Sequence, residues 1–312
     1  MRPSLPTTRN HKAWFRTRAG FVGAFSSASG SAFARALASV LACAVVCVFV
    51  GLALVSAQTP NKSDLDSATA ALCPVVYPDD QSPASRGYHY TFFGNAFFIN
   101  DQGYLLTVAH VLETFRNGGQ PYVLVDRVNA PPQLLQASIV AQDSAHDVAI
   151  LRVTPNPFAG KYKVAFLPLS SKPAVQGESV LALSLHPKRL QSAYSFEFER
   201  EDSSPGTVLT YESTHLANSA PPADVFLLSH PVVKGQSGSP VLDVSSHGVV
   251  GLVEGLWLRD NAFSLEQAAA QGGSTPGAAV PIRYAIPLLQ QHAIAWHTAA
   301  AQGSAPPATH AE

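Results

Sequence analysis

Three short segments carry side chains that could act on one another. Tyr104-Leu105-Leu106-Thr107-Val108-Ala109-His110-Val111 is an apolar run that delivers a histidine at its end, beside a small residue that leaves the imidazole accessible. His146-Asp147-Val148-Ala149-Ile150-Leu151 sets a carboxylate at the mouth of a second apolar run. Gly235-Gln236-Ser237-Gly238-Ser239-Pro240-Val241 holds a serine in a turn that its glycines allow to be tight. A serine hydroxyl is a weak nucleophile at neutral pH. It needs an imidazole to take its proton and a carboxylate to hold that imidazole in one tautomer.

Each segment alone has an ordinary structural explanation: a strand-end histidine, a turn acid, a Gly/Ser-rich turn. Their order and spacing, with His110 37 residues before Asp147 and Ser237 another 90 beyond it, fit two β-barrels that each supply half of an acyl-transfer site. Asp143 competes with Asp147, but only Asp147 abuts the apolar run, so Asp143 is assigned to the preceding turn. An α/β-hydrolase would place its acid and histidine after the serine on a G-x-S-x-G elbow. Here Ser239 stands where the last glycine of that elbow would be, and no βαβ alternation is evident.

The elements that must position these residues read as short strands separated by Gly, Pro, Asn and Asp clusters. Strands are predicted at 96–99, 104–108, 122–125, 136–142, 148–153, 179–185, 207–212, 225–228, 240–243 and 248–254. One terminal helix is predicted over 288–298, where Leu288, Leu289, His292, Ala293, Ile294 and Trp296 form a rough apolar stripe. Residues 191–204 and 259–277 read as inserted surface loops, and 299–312 as a frayed tail.

The amino-terminal region is of another kind. Arg2, Arg9, Lys12, Arg16, Arg18 and Arg35 give residues 1–35 six basic groups and no acid, whereas the remainder has 14 basic against 21 acidic residues. Residues 36–57 contain no charge and, as a helix, would cross a bilayer core of roughly 30 Å. Two readings stand: an uncleaved signal anchor, which the length of the run favours, or a signal peptide cut after Val55-Ser56-Ala57. The basic flank predicts a cytoplasmic amino terminus and an extracytoplasmic domain in the cell envelope, or a secreted or periplasmic one after cleavage. Residues 58–85, rich in Ser, Asp, Pro and Ala, read as a linker, with the folded domain over 86–298. Cys43 and Cys47 lie in the apolar run and Cys73 stands alone, so the domain offers no internal disulfide.

A net charge of −1 gives no electrostatic footprint for nucleic acid. His89, His186, His247 and His292 lack metal-ligand spacing, so no metal or other cofactor is expected.

The three segments resemble the TAAH, DIAL and GDSGGP elements of trypsin-like peptidases. Gly94-Asn95-Ala96-Phe97-Phe98-Ile99, Gly177-Glu178-Ser179-Val180, Gly248-Val249-Val250-Gly251 and Ala285-Ile286-Pro287 resemble elements of bacterial Deg/HtrA-type protease domains. Gln236 stands where the family usually has Asp or Asn, and Ser239 where it has Gly. The resemblance covers 86–297 and leaves no sequence for a carboxy-terminal PDZ module. It implies an all-β, chymotrypsin-like double barrel with a carboxy-terminal helix, preceded by one transmembrane or signal helix. It further implies a serine endopeptidase acting on proteins or peptides without a cofactor. His110, Asp147 and Ser237 would form its triad, and the amides of Gly235 and Ser237 its oxyanion hole. The same resemblance draws the substrate pocket from 229–234 and 253–256, with His230, Lys234, Val253 and Glu254 as candidate residues. A catalytically silent protease-fold module that binds proteins or acts like a chaperone is the alternative.

Overall fold

A computed structural model describes residues 62–78, 90–127, 130–189, 194–202, 206–217, 220–257 and 275–299. The basic segment 1–35 and the apolar run 36–57 lie outside the described residues, as do 258–274 and 300–312. Among the described residues, no helix is long and apolar enough to cross a membrane.

Two rings of antiparallel strands dominate. The first is a closed barrel in the order β1-β2-β3-β6-β5-β4: β1 (Leu72–Pro78), β2 (Tyr90–Phe98), β3 (Tyr104–Thr107), β6 (Val148–Thr154), β5 (Ala130–Asp143) and β4 (Tyr122–Arg127). The second runs β11-β12-β13-β10-β9-β7: β11 (Pro240–Asp243), β12 (Val249–Leu256), β13 (Gly277–Pro281), β10 (Ala223–Leu228), β9 (Gly206–Thr214) and β7 (Ser179–Arg189). Pairing of β11 with the first half of β7 closes this ring, and β8 (Tyr194–Asp202) is the hairpin partner of the second half.

Strand alternation explains how one strand serves two cores. On β7, Val180 and Ala182 point into the second ring, while Leu181 and Leu183 join the larger apolar cluster built around the first. On β12, Val250 and Val253 go inward and Val249 and Leu252 go to the larger cluster, a three-residue step that follows from the slip in register with β11 at Val250. The two rings are therefore joined by apolar packing from opposite faces of shared strands.

All ten predicted strands are present, and three stretches correct the sequence reading. The expected linker contains helix α1 (Lys62–Thr69) and β1, so the folded domain begins well before residue 86. Leu72, Cys73, Val75 and Val76 are fully buried, and a strand closing a barrel cannot belong to a tether. Cys73 lies in that core as a free thiol, its pKa raised by burial and then by the charge of Asp126. The expected loop at 191–204 contains β8, whose Tyr-Ser-Phe-Glu-Phe-Glu-Arg run alternates with period two. The third is β13, whose Gly-Ala-Ala core lacks the β-branched signature of a strand.

The terminal helix also starts earlier than predicted. Helix α2 spans Ala285–Gln291 and stops where Ala293 adopts φ 52°. The Ile294 amide reaches back to the Leu289 carbonyl at 3.0 Å, a left-handed helix stop with an apolar residue folded over it. Leu289 and Ile294 bury in the larger cluster. Ile294 thus gets there from extended chain, not from the helical stripe.

Candidate active site

The chain places its chemistry at the ends of strands from both rings. After β3, the backbone turns into a 3-10 helix (Ala109–Asn117) with His110 in its first turn. After β5, a turn delivers Asp147 at φ 52°, a left-handed conformation that Asp tolerates better than most residues. Asp143 builds that turn. Its carboxylate accepts the Ala145 and His146 amides and sits 2.6 Å from His146 Nδ1. The His146 ring stacks on Tyr284 at 4.1 Å.

Asp147 and His110 meet twice. Asp147 Oδ1 accepts the His110 backbone amide at 2.8 Å, and Oδ2 lies 2.7 Å from His110 Nδ1. The Asp147 side chain is only 6% exposed, the His110 side chain 38%. Burial alone would lower the imidazole pKa. The hydrogen bond and charge of Asp147, joined by the charges of Glu254 and Glu113, outweigh it and leave that pKa raised.

Ser237 sits on the loop that leads into β11. Its hydroxyl donates to the Glu254 carbonyl of β12 at 3.1 Å. Gly235 and Gly238 hold φ 99° and 80°, values that disfavour any residue with a Cβ. At Gly238 a Cβ would also overlap the Asn95 carbonyl oxygen and the Thr107 hydroxyl. The left-handed conformation costs an L-residue roughly 1–2 kcal/mol, and forced repacking of this kind roughly 1–3 kcal/mol more. Gly238→Ala is thus expected to lower the denaturant midpoint of unfolding markedly, and a midpoint equal to wild type would refute the crowding argument.

Asn95 is the bracket that sequence reasoning missed. Fully buried on β2, it donates from Nδ2 to the Gly235 carbonyl at 2.9 Å and to the Leu185 carbonyl at 3.3 Å. Its Oδ1 accepts the Leu185 amide at 3.2 Å, and its backbone amide donates to the Ser237 carbonyl at 2.8 Å. One side chain thereby ties β2 of the first ring, β7 of the second and the serine loop. The signal in the sequence was a lone amide inside an otherwise apolar run, which must find partners if buried. Gln236 is the second bracket: its Oε1 accepts the Val233 amide at 2.8 Å and its Nε2 donates to Ser184 Oγ at 3.1 Å.

The remaining candidates divide. Glu254 comes to the His110–Asp147 pair: one ligand atom from each of the three lies within 4.8 Å of the other two, the only such group among the described residues. These residues could hold a metal only by taking Asp147 from its hydrogen bonds with His110. Val253 is buried, with its amide and carbonyl bonded to Ser239 and Gly238 of the serine loop. The His230 ring lies against Gly206, where burial lowers its pKa, and Lys234 is exposed. No hydrogen bond or ion pair among the described residues joins His230 or Lys234 to the other candidates.

A family model described as a trypsin-like peptidase domain matches residues 94–252, just over half of the chain. Among solved structures, the fold is similar to that of the Rv3671c protease from M. tuberculosis in its active form. That match has 18% identity and a TM-score of 0.50 over 79% of this chain and 92% of that one. It is also similar to the HtrA-type protease AlgW with a decapeptide, at 16% identity and a TM-score of 0.51 over 73% and 66% of the two chains. Deg5 is similar at 16% identity and a TM-score of 0.50 over 75% and 95%. No curated protein matches the chain by sequence.

Proposed function

Since the chain belongs to the trypsin-like peptidase family, and is a serine endopeptidase on that ground, we propose that it hydrolyses peptide bonds through an acyl-enzyme formed on Ser237. The observation that carries this reading is the double hydrogen bond of Asp147 to His110, with Glu254, whose carbonyl holds the Ser237 hydroxyl, within 4.8 Å of the pair. Asp147 fixes the proton of the neutral imidazole on Nδ1 and leaves Nε2 as the base. Activation requires the Ser237 hydroxyl to leave the Glu254 carbonyl for that nitrogen, and side-chain rotation of this kind is fast on the scale of turnover. Attack on the substrate carbonyl then makes a tetrahedral oxyanion, and His110 passes the proton to the departing amine. Water attacks the ester in a second round with the same base.

The Gly235 and Ser237 carbonyls are held by Asn95. This supports a loop whose Gly235 and Ser237 amides serve the oxyanion. The uncharged segment 36–57 and its basic flank support an extracytoplasmic domain in the cell envelope, acting on proteins or peptides there.

The resting contact of Ser237 with Glu254, not with His110, favours the second reading, a catalytically silent protease-fold binding module. A fluorophosphonate probe separates the two. Mass spectrometry is expected to find the adduct on Ser237 and on no other serine, whereas a folded chain left unmodified would support the silent module.

A further inference from the structure

β12 brings a second acid to the imidazole. Val253 is buried in the second ring, its amide donating to Ser239 and its carbonyl accepting from Gly238, each at 2.8 Å. The register of β12 with β13 slips between Val253 and Gly255, so Glu254 is the extra residue of a bulge, a device that re-aims a side chain. This half-buried carboxylate stands within 4.8 Å of both a ring nitrogen of His110 and a carboxylate oxygen of Asp147. Both Asp147 oxygens are already engaged by His110. The Glu254 carboxylate has no hydrogen bond among the described residues, so its charge is uncommitted. Its backbone carbonyl, meanwhile, holds the Ser237 hydroxyl.

We propose that Glu254 is a positioning residue of the proton relay: its carboxylate joins that of Asp147 in favouring the imidazolium form of His110, and so sets the pH above which Ser237 is activated. The proposal rests on the reading of His110, Asp147 and Ser237 as a triad, and it gives that triad two acids on one base. In this role Glu254 acts through His110.

The groups that act on His110 are Asp147 from the turn before β6, Glu254 from β12 and Glu113 from the 3-10 helix of His110 itself. All three are acidic and raise its pKa, against the lowering by burial. Glu254 is in turn raised, by burial and then by the charge of Asp147, while His110 lowers it. Proton transfer from Ser237 needs the neutral imidazole, so activity rises as pH rises through the His110 pKa. Removing the Glu254 charge lowers that pKa and moves the acidic limb to lower pH. A nearby opposite charge at this range is worth about one unit.

Two measurements on the full chain test this. The pH dependence of the fluorophosphonate labelling rate is expected to shift its acidic midpoint down by about one unit in Glu254→Gln. Glu254→Asp, which keeps the charge, should stay near the wild-type midpoint. Independently of activity, NMR titration of the His110 ring is compared in Ser237→Ala with and without Glu254→Gln. A lower His110 midpoint in the double variant supports the proposal, and an unchanged one overturns it. If the wild type is never labelled, the catalytic reading fails, and the NMR titration still decides whether Glu254 acts on His110.

Discussion

Ser237→Ala should abolish measurable peptide hydrolysis, with kcat falling on the order of 10⁶-fold, while leaving the fold intact. Only one hydrogen bond is lost, from Oγ to the Glu254 carbonyl, and a single bond of that kind contributes about 0.5–1.5 kcal/mol. The backbone contacts that shape the loop remain: Ser237 carbonyl to the Asn95 amide, Gln236 amide to the Val233 carbonyl at 3.1 Å, and Gly238 amide to the Val253 carbonyl. Thermal unfolding should therefore shift by no more than a few degrees. An alanine variant with a tenth of wild-type activity would show that another nucleophile does the work.

Asp147→Asn is expected to cost about 10⁴-fold in kcat, with the variant still folded. The two hydrogen bonds of Asp147 explain why so small a change matters. Its Oδ1 accepts the His110 backbone amide, so an asparagine must keep its oxygen there and turn its NH2 toward Nδ1. That NH2 donates, so the ring nitrogen facing it must accept, and the imidazole proton moves to Nε2. The base then offers a proton where it should receive one. Because both substitutions disable one relay, Ser237→Ala/Asp147→Asn should be no worse than Ser237→Ala alone. Steady-state kinetics on a cleavable peptide would expose an additive loss, which this scheme forbids.

Short apolar, β-branched runs between turn residues were a reliable guide, as in β6, where Val148, Ala149, Ile150 and Leu151 are all fully buried. That signal was hidden where other constraints chose the residues. β1 carries Pro74 and Pro78 inside a Ser/Pro/Ala-rich stretch, a composition that reads as tether although the strand pairs with both β2 and β4. β13 is built of small residues: a Cβ on Gly277 would meet Val232 at 2.6 Å, and Ala278 and Ala279 are fully buried. Small size there answers crowding, which a single sequence does not display. β8 carries so many charges that its alternation was outweighed by its polarity.

In the site, the histidine, acid and serine could be read from local segments because each sits beside a strand end. Asn95 and Glu254 could not, since their partners lie far along the chain: Leu185 is 90 residues from Asn95, and Gly235 is 140. The resemblance named Glu254 as a pocket candidate, while its approach to His110 and Asp147 is a long-range contact that local sequence does not display.

The bracket at Asn95 also bears on how a hydrolytic enzyme is made without harm to its maker. Its set of bonds is complete only when β2, β7 and the serine loop have come together, because each supplies one of the partners. On the proposed reading, a chain with only its first ring formed would pair His110 with Asp147 but lack the braced Ser237 loop. Proteolytic competence would then wait on the second ring.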